Sequence, residues 1–385
     1  MAKLAELGKI ITGNTPKTAE AQNYASNDIC FVKPSDFADG EVNHILDTEF
    51  YISEYARDKA RIIPPSSVLV TCIGILGKVA INKIECAFNQ QINAIVPDVA
   101  KCLPEYLALA IQSKQAVLRD TANAAVVPIL NRAQFSEIEV YLPSLEEQRE
   151  AVTRMDAVSK LIALRKEQLV KLDELVKARF VEMFGDPMLN SKEWPMHQLS
   201  EYILFLTSGS RGWAQYFTEQ GEYFITIKNV KNCRITLNDV QHIVPPNNAE
   251  AARTKVQEGD LLISITADLG RTGVVSKVIA EHGAYINQHL TCIRLDKSAL
   301  NPLFVAYYME SEAGKAQFQA KNQNGVKAGL NFNAINSLRL FVPPLELQEK
   351  FTSFVEQMDR TKLTIQAGLD KLVVMKKTLM QEYFG

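Results

Sequence analysis

Apolar positions follow two different periods along the chain. Through residues 144–184 they recur at helical spacing, and Met155, Ile162, Leu169, Val176 and Met183 fall seven apart. Met358, Ile365, Leu372 and Leu379 repeat that spacing near the other end. Elsewhere the apolar runs are short and bounded by Gly, Asn and Pro, which predicts strands and turns. Seven-residue apolar spacing marks a coiled-coil seam. No Gly or Pro interrupts the first long stretch between Ser144 and Phe184, and the second holds only Gly368. Forty helical residues span roughly 60 Å, more than a small domain can cover. The expected seam is Ile162, Leu169, Leu172 and Val176 against Ile365, Leu369, Leu372 and Leu379. The alternative is two amphipathic helices on separate cores.

The two helical stretches are one unit written twice. Residues 141–185 match residues 341–385 at a displacement of 200 with no gap. Pro143, Leu145, Glu146 and Gln148 return as Pro343, Leu345, Glu346 and Gln348, and Phe184-Gly185 closes the first copy as Phe384-Gly385 closes the second. A fixed period implies a repeated architecture. The preceding segments correspond more loosely. Each offers a Gly-polar turn from Thr12 or Ser208 and a strand running into polar residues (Phe31 to Asp36; Ile225 to Asn229). Each then offers a hairpin with a Gly-x-x-Gly turn (Gly74 to Gly77; Gly270 to Gly273) and a strand opened by Asn89-Gln90 or Asn287-Gln288. An apolar helix follows, over 104–118 or 302–319, and a last strand leads into the long helix. The expected fold is α+β: two globular α/β domains separated by two long helices packed as an antiparallel coiled coil, with pseudo-twofold symmetry. Its boundaries are 1–143, 144–185, 186–343 and 344–385.

Charge changes this picture little. The net charge is −2; residues 1–143 carry 13 basic against 16 acidic groups, and residues 186–343 carry 15 against 14. A nucleic-acid partner therefore requires positive groups gathered on one face. The six cysteines are scattered without a Cys-x-x-Cys pair, as in a reduced, cytoplasmic protein. No run of eighteen apolar residues is present, and the N-terminus has no signal-peptide pattern.

The chemistry of catalysis is missing from the motifs. There is no Gly-x-Gly-x-x-Gly, no Gly-Lys-Ser/Thr, no Phe-x-Gly and no Asp/Glu-x-Lys, and the five histidines lack metal-ligand spacing. Asn301-Pro302-Leu303-Phe304 reads as a helix N-cap. What remains is recognition. The Gly-x-x-Gly turns offer backbone amides to phosphate, although a hairpin turn that needs a positive φ is the better explanation. Asn89, Gln90, Gln288 and His289 offer groups able to read base edges, or to satisfy buried backbone. Lys33, Ser35, Lys78, Arg211, Lys228, Asn229, Lys231, Arg271 and Lys327 complete the candidate DNA-binding set, with solvated surface as the ordinary alternative for each.

With these motifs in hand, the chain resembles the specificity subunit of type I restriction-modification enzymes over its whole length. The resemblance rests on the doubled Pro-x-Leu-Glu-x-Gln and Phe-Gly helix boundaries and the paired Asn-Gln strands. The Thr-Gly-x-Thr-Pro and Ser-Gly-Ser-Arg-Gly openings add to it. One departure is an N-terminus that enters the first domain with no preceding helical segment. The resemblance implies two target-recognition domains, each reading half of a split, asymmetric site in double-stranded DNA. It implies a non-catalytic chain that docks two methyltransferase subunits through its helices, with restriction (motor-nuclease) subunits joining that core. It also implies that adenosylmethionine, ATP and magnesium belong to those partners, so that this chain has no cofactor or metal of its own. The rival readings are a coiled-coil adaptor with two ligand-binding globes and a fused enzyme.

Overall fold

The computed structural model describes residues 1–121, 128–322 and 329–385. Contacts divide the chain into two units, Met1–Lys166 with Gln366–Gly385, and Glu167–Ile365. The long helices are Leu145–Phe184 and Leu345–Phe384. The unit boundaries fall inside both helices, so each unit owns part of each, where the sequence suggested helices separate from the domains.

Short β-branched runs build the globular part of each unit. In the first unit a five-stranded sheet runs Gly8–Thr12, Ile92–Pro97, Val68–Thr71, Val79–Asn82, Asn43–Ile45. A four-stranded sheet runs Tyr51–Ile52, Ile29–Val32, Cys86–Phe88, Ile62–Ile63. The second unit repeats this plan. Its six-stranded sheet runs Ile203–Ser208, Leu290–Leu295, Leu261–Ser264, Thr272–Val274, Cys233–Ile235, Val230–Lys231. Its four-stranded sheet runs Phe217–Thr218, Gln241–Ile243, Glu222–Ile225, Ala284–Ile286.

The repeated helix boundaries now have physical causes. Gln148 is fully buried: its Oε1 accepts from Leu103 N (2.9 Å) and its Nε2 donates to Lys101 O and Pro143 O (both 3.0 Å). Gln348 does the same with Asn301 N (2.8 Å), Ala299 O (3.4 Å) and Pro343 O (2.7 Å). Each amide pins the start of a long helix to the domain before it. The Phe-Gly ends are docked too. In the second unit Phe184 lies 4.8 Å from the Phe304 ring within a group that includes Phe180, Phe351 and Tyr307. In the first unit Phe384 lies 5.0 Å from Tyr106, whose hydroxyl donates to Tyr141 O at 3.0 Å. Gly185, at φ +84°, closes its helix in the left-handed conformation that glycine adopts without strain, and its N–H donates to Val181 O at 2.8 Å.

Ile162, Val176, Leu369 and Leu379 are buried; Leu169, Leu172, Ile365 and Leu372 are half-buried. Within the second unit Asp173 pairs with Lys362 and Phe180 packs on Phe351, so the helices run antiparallel there.

Three local expectations change. The apolar helix over 104–118 is broken at Lys114 into Pro104–Ser113 and Gln115–Thr121. Its counterpart is broken at Ser311, which caps the following Glu312–Lys321 helix through Gly314 N. Asn89-Gln90 and Asn287-Gln288 do not open strands; they form the turns before Ile92–Pro97 and Leu290–Leu295. The Gly-x-x-Gly turns are not equivalent. Gly77 N donates to Thr71 O and Gly270 N to Ser264 O, so Gly77 corresponds to Gly270. Gly273 lies in a strand, and Ala267 at φ +59° takes the place of Gly74 at φ +76°.

Candidate nucleic-acid interface

In the first unit, strands Ile29–Val32 and Cys86–Phe88 are parallel, with Val32 opposite Phe88. Parallel pairing brings both C-terminal ends to one place, and the turns that leave them meet: Asn89 N donates to Val32 O at 3.1 Å. The Gly-polar turn lies against this pair. Gly13 N donates to Ile92 O and Asn14 N to Phe88 O, both at 3.0 Å. A Cβ on residue 13 would sit 2.1 Å from Asn89 O, so only glycine permits this approach. Thr15 Oγ1 donates to Gln90 Oε1 at 2.6 Å. Arg61 Nη1 reaches Thr12 O at 2.5 Å, and Arg61 N donates to Asn14 Oδ1 at 2.8 Å.

The second unit builds the same assembly from other residues. Strands Glu222–Ile225 and Ala284–Ile286 are parallel, with Ile225 opposite Ile286, and Asn287 N donates to Ile225 O at 3.2 Å. Gly209 N donates to Leu290 O at 3.1 Å, and a Cβ there would sit 2.1 Å from Asn287 O. Gln288 Nε2 donates to His289 Nε2 at 3.0 Å, leaving His289 Nδ1 to donate to Thr266 Oγ1 at 2.6 Å. Arg253 Nη1 donates to Ser208 O at 2.9 Å and contacts Thr207 Oγ1, while its Nη2 donates to Ser210 Oγ at 3.2 Å.

These turns gather some of the candidate residues and exclude others. Ser35 and Lys228 occupy the same step of the turn after the first strand of each parallel pair, and both are exposed. Gln90 and Arg211 are exposed, and Gln288 and His289 half-exposed, on the adjoining turns. Asn229 is 2% exposed and belongs to the scaffold. Its Oδ1 accepts from Thr226 N and Oγ1, and its Nδ2 donates to Thr236 O and Asn238 O, which spends its amide on backbone. Asn89 is likewise buried and bonded to Gln91. Lys78 pairs with Asp39 at 2.6 Å, and Arg271 pairs with Asp268, so neither charge is unneutralised. Lys33 Nζ stands 3.1 Å over the Phe50 ring centroid. Lys231 is exposed across a hairpin from Arg234, whose guanidinium turns to Asp359 on the second long helix and to Tyr307 Oη at 3.1 Å. Lys327 lies outside the described residues.

Asn301 caps its helix as expected, its Oδ1 accepting from Leu303 N at 2.9 Å and Phe304 N at 3.3 Å. All six cysteines are free, and burial pushes the Cys72, Cys86 and Cys102 thiols up to about 12. Among the described residues no group of three His, Cys, Asp or Glu is placed to hold a metal, and no helix is long and apolar enough to cross a membrane.

The model for the type I restriction modification DNA specificity domain matches residues 1–174 and again 202–373. The chain belongs to this family. Among its relatives, the MjaIX specificity subunit of Methanocaldococcus jannaschii is 28% identical over 249 residues, 59% of this chain and 57% of the relative. The HindI specificity subunit of Haemophilus influenzae is 33% identical over 149 residues, 38% of this chain and 32% of the relative. The chain thus matches less than two thirds of the length of either. The type I S subunit from M. genitalium has the same fold, with a TM-score of 0.59 at 12% identity, covering 100% of this chain and 95% of that one. In this specificity-domain chain the doubled match falls on the doubled three-turn assembly.

Sequence reading missed Arg61, Arg253 and the Arg234–Asp359 pair. Arg61 and Arg253 stand beyond the motifs that carry the repeat, and only the fold brings them to the Gly turns. The signal for Arg234 was its place in a basic cluster, which says nothing of which way a side chain turns.

Proposed function

We propose that this chain is the non-catalytic DNA-recognition subunit of a type I restriction-modification complex, and that each unit reads one half of a split, asymmetric duplex target. The observation that carries the reading is the three-turn assembly, built twice on the same backbone hydrogen bonds but presenting different side chains. Ser35, Gln90 and Arg61 stand in one unit where Lys228, Gln288 and Arg253 stand in the other. A common frame with different displayed groups suits two half-sites of different sequence.

The long helices are the proposed dock for two methyltransferase subunits, which restriction subunits then join. Leu161, Leu164, Val170, Leu175 and Val181 on the first helix and Leu363, Val374 and Met375 on the second are exposed apolar residues beside the charged positions. Such mixed surfaces suit subunit association. Adenosylmethionine, ATP and magnesium are assigned to the partners, and the cytoplasm to the assembly.

The test is binding of the full chain to a random-sequence duplex pool across a salt series. Salt-dependent retention that enriches two short motifs separated by a fixed gap supports the reading. Binding without enrichment, or no binding at any salt, contradicts it and favours an adaptor without a DNA role.

A further inference from the structure

We infer that Arg61 and Arg253 are matched phosphate-contacting residues, each bracing its unit's Gly turn with part of the guanidinium while its charge faces the DNA. The inference rests on the DNA-recognition reading and names residues that it does not require.

The two arginines reach one structural position from different places in sequence. Gly13 and Gly209 make the same backbone bond, to Ile92 O and Leu290 O, so Thr12 and Ser208 are equivalent. Arg61 donates to Thr12 O and Arg253 to Ser208 O. Yet the arginines are not aligned. Ile62 lies opposite Ala87, and Lys255 lies opposite Tyr285, one rung before the end of each parallel pair. Arg61 is therefore one residue before that rung and Arg253 two before it. A shared carbonyl reached from two registers points to a requirement for a guanidinium at that spot.

Its electrostatics indicate an anion. Both side chains are on exposed residues, and neither makes an ion pair with a carboxylate among the described residues. Elsewhere in the chain, Arg57, Arg154, Arg179, Arg234, Arg271 and Arg294 do pair with carboxylates. The carbonyls and hydroxyls that hold Arg61 and Arg253 orient them without cancelling their charge. A planar guanidinium fixed at one edge still presents N–H groups for phosphate, which a flexible ammonium does not match.

The experiment measures duplex binding of the full chain against salt for the parent, Arg61→Gln, Arg253→Gln, the double variant, and Arg61→Lys. Glutamine keeps a donor for the turn carbonyl but removes the charge. Each single Gln variant is expected to bind on the order of tenfold more weakly at moderate salt and to lower the slope of log affinity against log salt by about one. The double variant should lower it by about two. Arg61→Lys, which keeps the charge, should keep the parent slope. If the parent shows no salt-dependent binding, the recognition reading falls and takes this inference with it. If the parent binds and the Gln variants keep its slope, this inference alone is overturned, whatever happens to their sequence preference.

Discussion

Arg234 and His44 stand on the same rung of the same sheet in the two units, but only Arg234 ties that rung to a long helix by hydrogen bonds. The equivalence follows from register: Cys233 pairs with Gly273 as Asn43 pairs with Ala80, each on a strand parallel to its neighbour. Arg234 makes two hydrogen bonds to Asp359 and one to Tyr307, and only a third of Asp359 is exposed. In the first unit Ser159 stands 200 positions before Asp359, and His44 faces the charges of Lys83, Glu105 and Asp156 without a hydrogen bond to any of them. The same contrast appears at the docked helix ends. Phe184 packs against three rings, Phe180, Phe304 and Phe351, whereas Phe384 packs on Tyr106 and its neighbour Tyr383. A repeated fold has thus been fastened to its helices by a permanent ion pair and an aromatic cluster in one unit, and by lighter contacts in the other.

The largest effect that separates the two comes from the helix ends. Phe184→Ala and Phe384→Ala each remove a fully buried ring, and each should cost about 3–5 kcal/mol, with Phe184 at the upper end because more rings lose a neighbour. Hydrogen exchange read by mass spectrometry should localise each loss to its own unit. Equal destabilisation of both units by either variant would break the comparison. Arg234→Ala comes next. It strands Asp359 and Tyr307 at a partly buried site and should cost about 1–3 kcal/mol, discounted for the exposure of the pair. Chemical denaturation of the second unit measures it.

Transplanting the fastening is a sharper test. His44→Arg with Ser159→Asp should bring the second unit's pair to the first, with a favourable coupling of about 0.5–1 kcal/mol in a double-mutant cycle. Zero coupling would mean that the register equivalence does not extend to the side chains. The smallest expected effect is one of pH. Burial, and then the Lys83 charge, hold the His44 pKa below its ordinary value against the opposing pull of Glu105 and Asp156. Above the ordinary value of about 6.5 both states are neutral and nothing is lost. Below it the unfolded chain takes up the proton first, so the first unit loses stability as pH falls. Its melting point should fall by about a degree more between pH 7.5 and 5.5 than that of a His44→Gln variant.

Much of this architecture was legible because it is written in periods. Seven-residue apolar spacing located both long helices, and the displacement of 200 exposed the repeat. Gln148 and Gln348 were visible as repeated letters, but not as buried amides pinning a helix start. Turn chemistry was legible at Gly13 and Gly209, where a polar run surrounds a glycine. Side-chain direction was not. Asn229 reads like an amide at a strand end, and only the fold spends it on Thr226, Thr236 and Asn238. Arg253 belongs to no motif that the repeat marks, and only the fold places it, on the short helix Ala249–Thr254, at the Gly turn. The contacts of Arg61 and Arg253 with those turns join residues more than forty apart, beyond what local patterning encodes.

The central claim is that two matched assemblies read two different half-sites. Its most direct test replaces residues 1–143 with the corresponding domain of another family member and sequences the duplexes that the full chain then selects. The account predicts a new first half-site beside an unchanged second one. A change in both half-sites, or in neither, would contradict it.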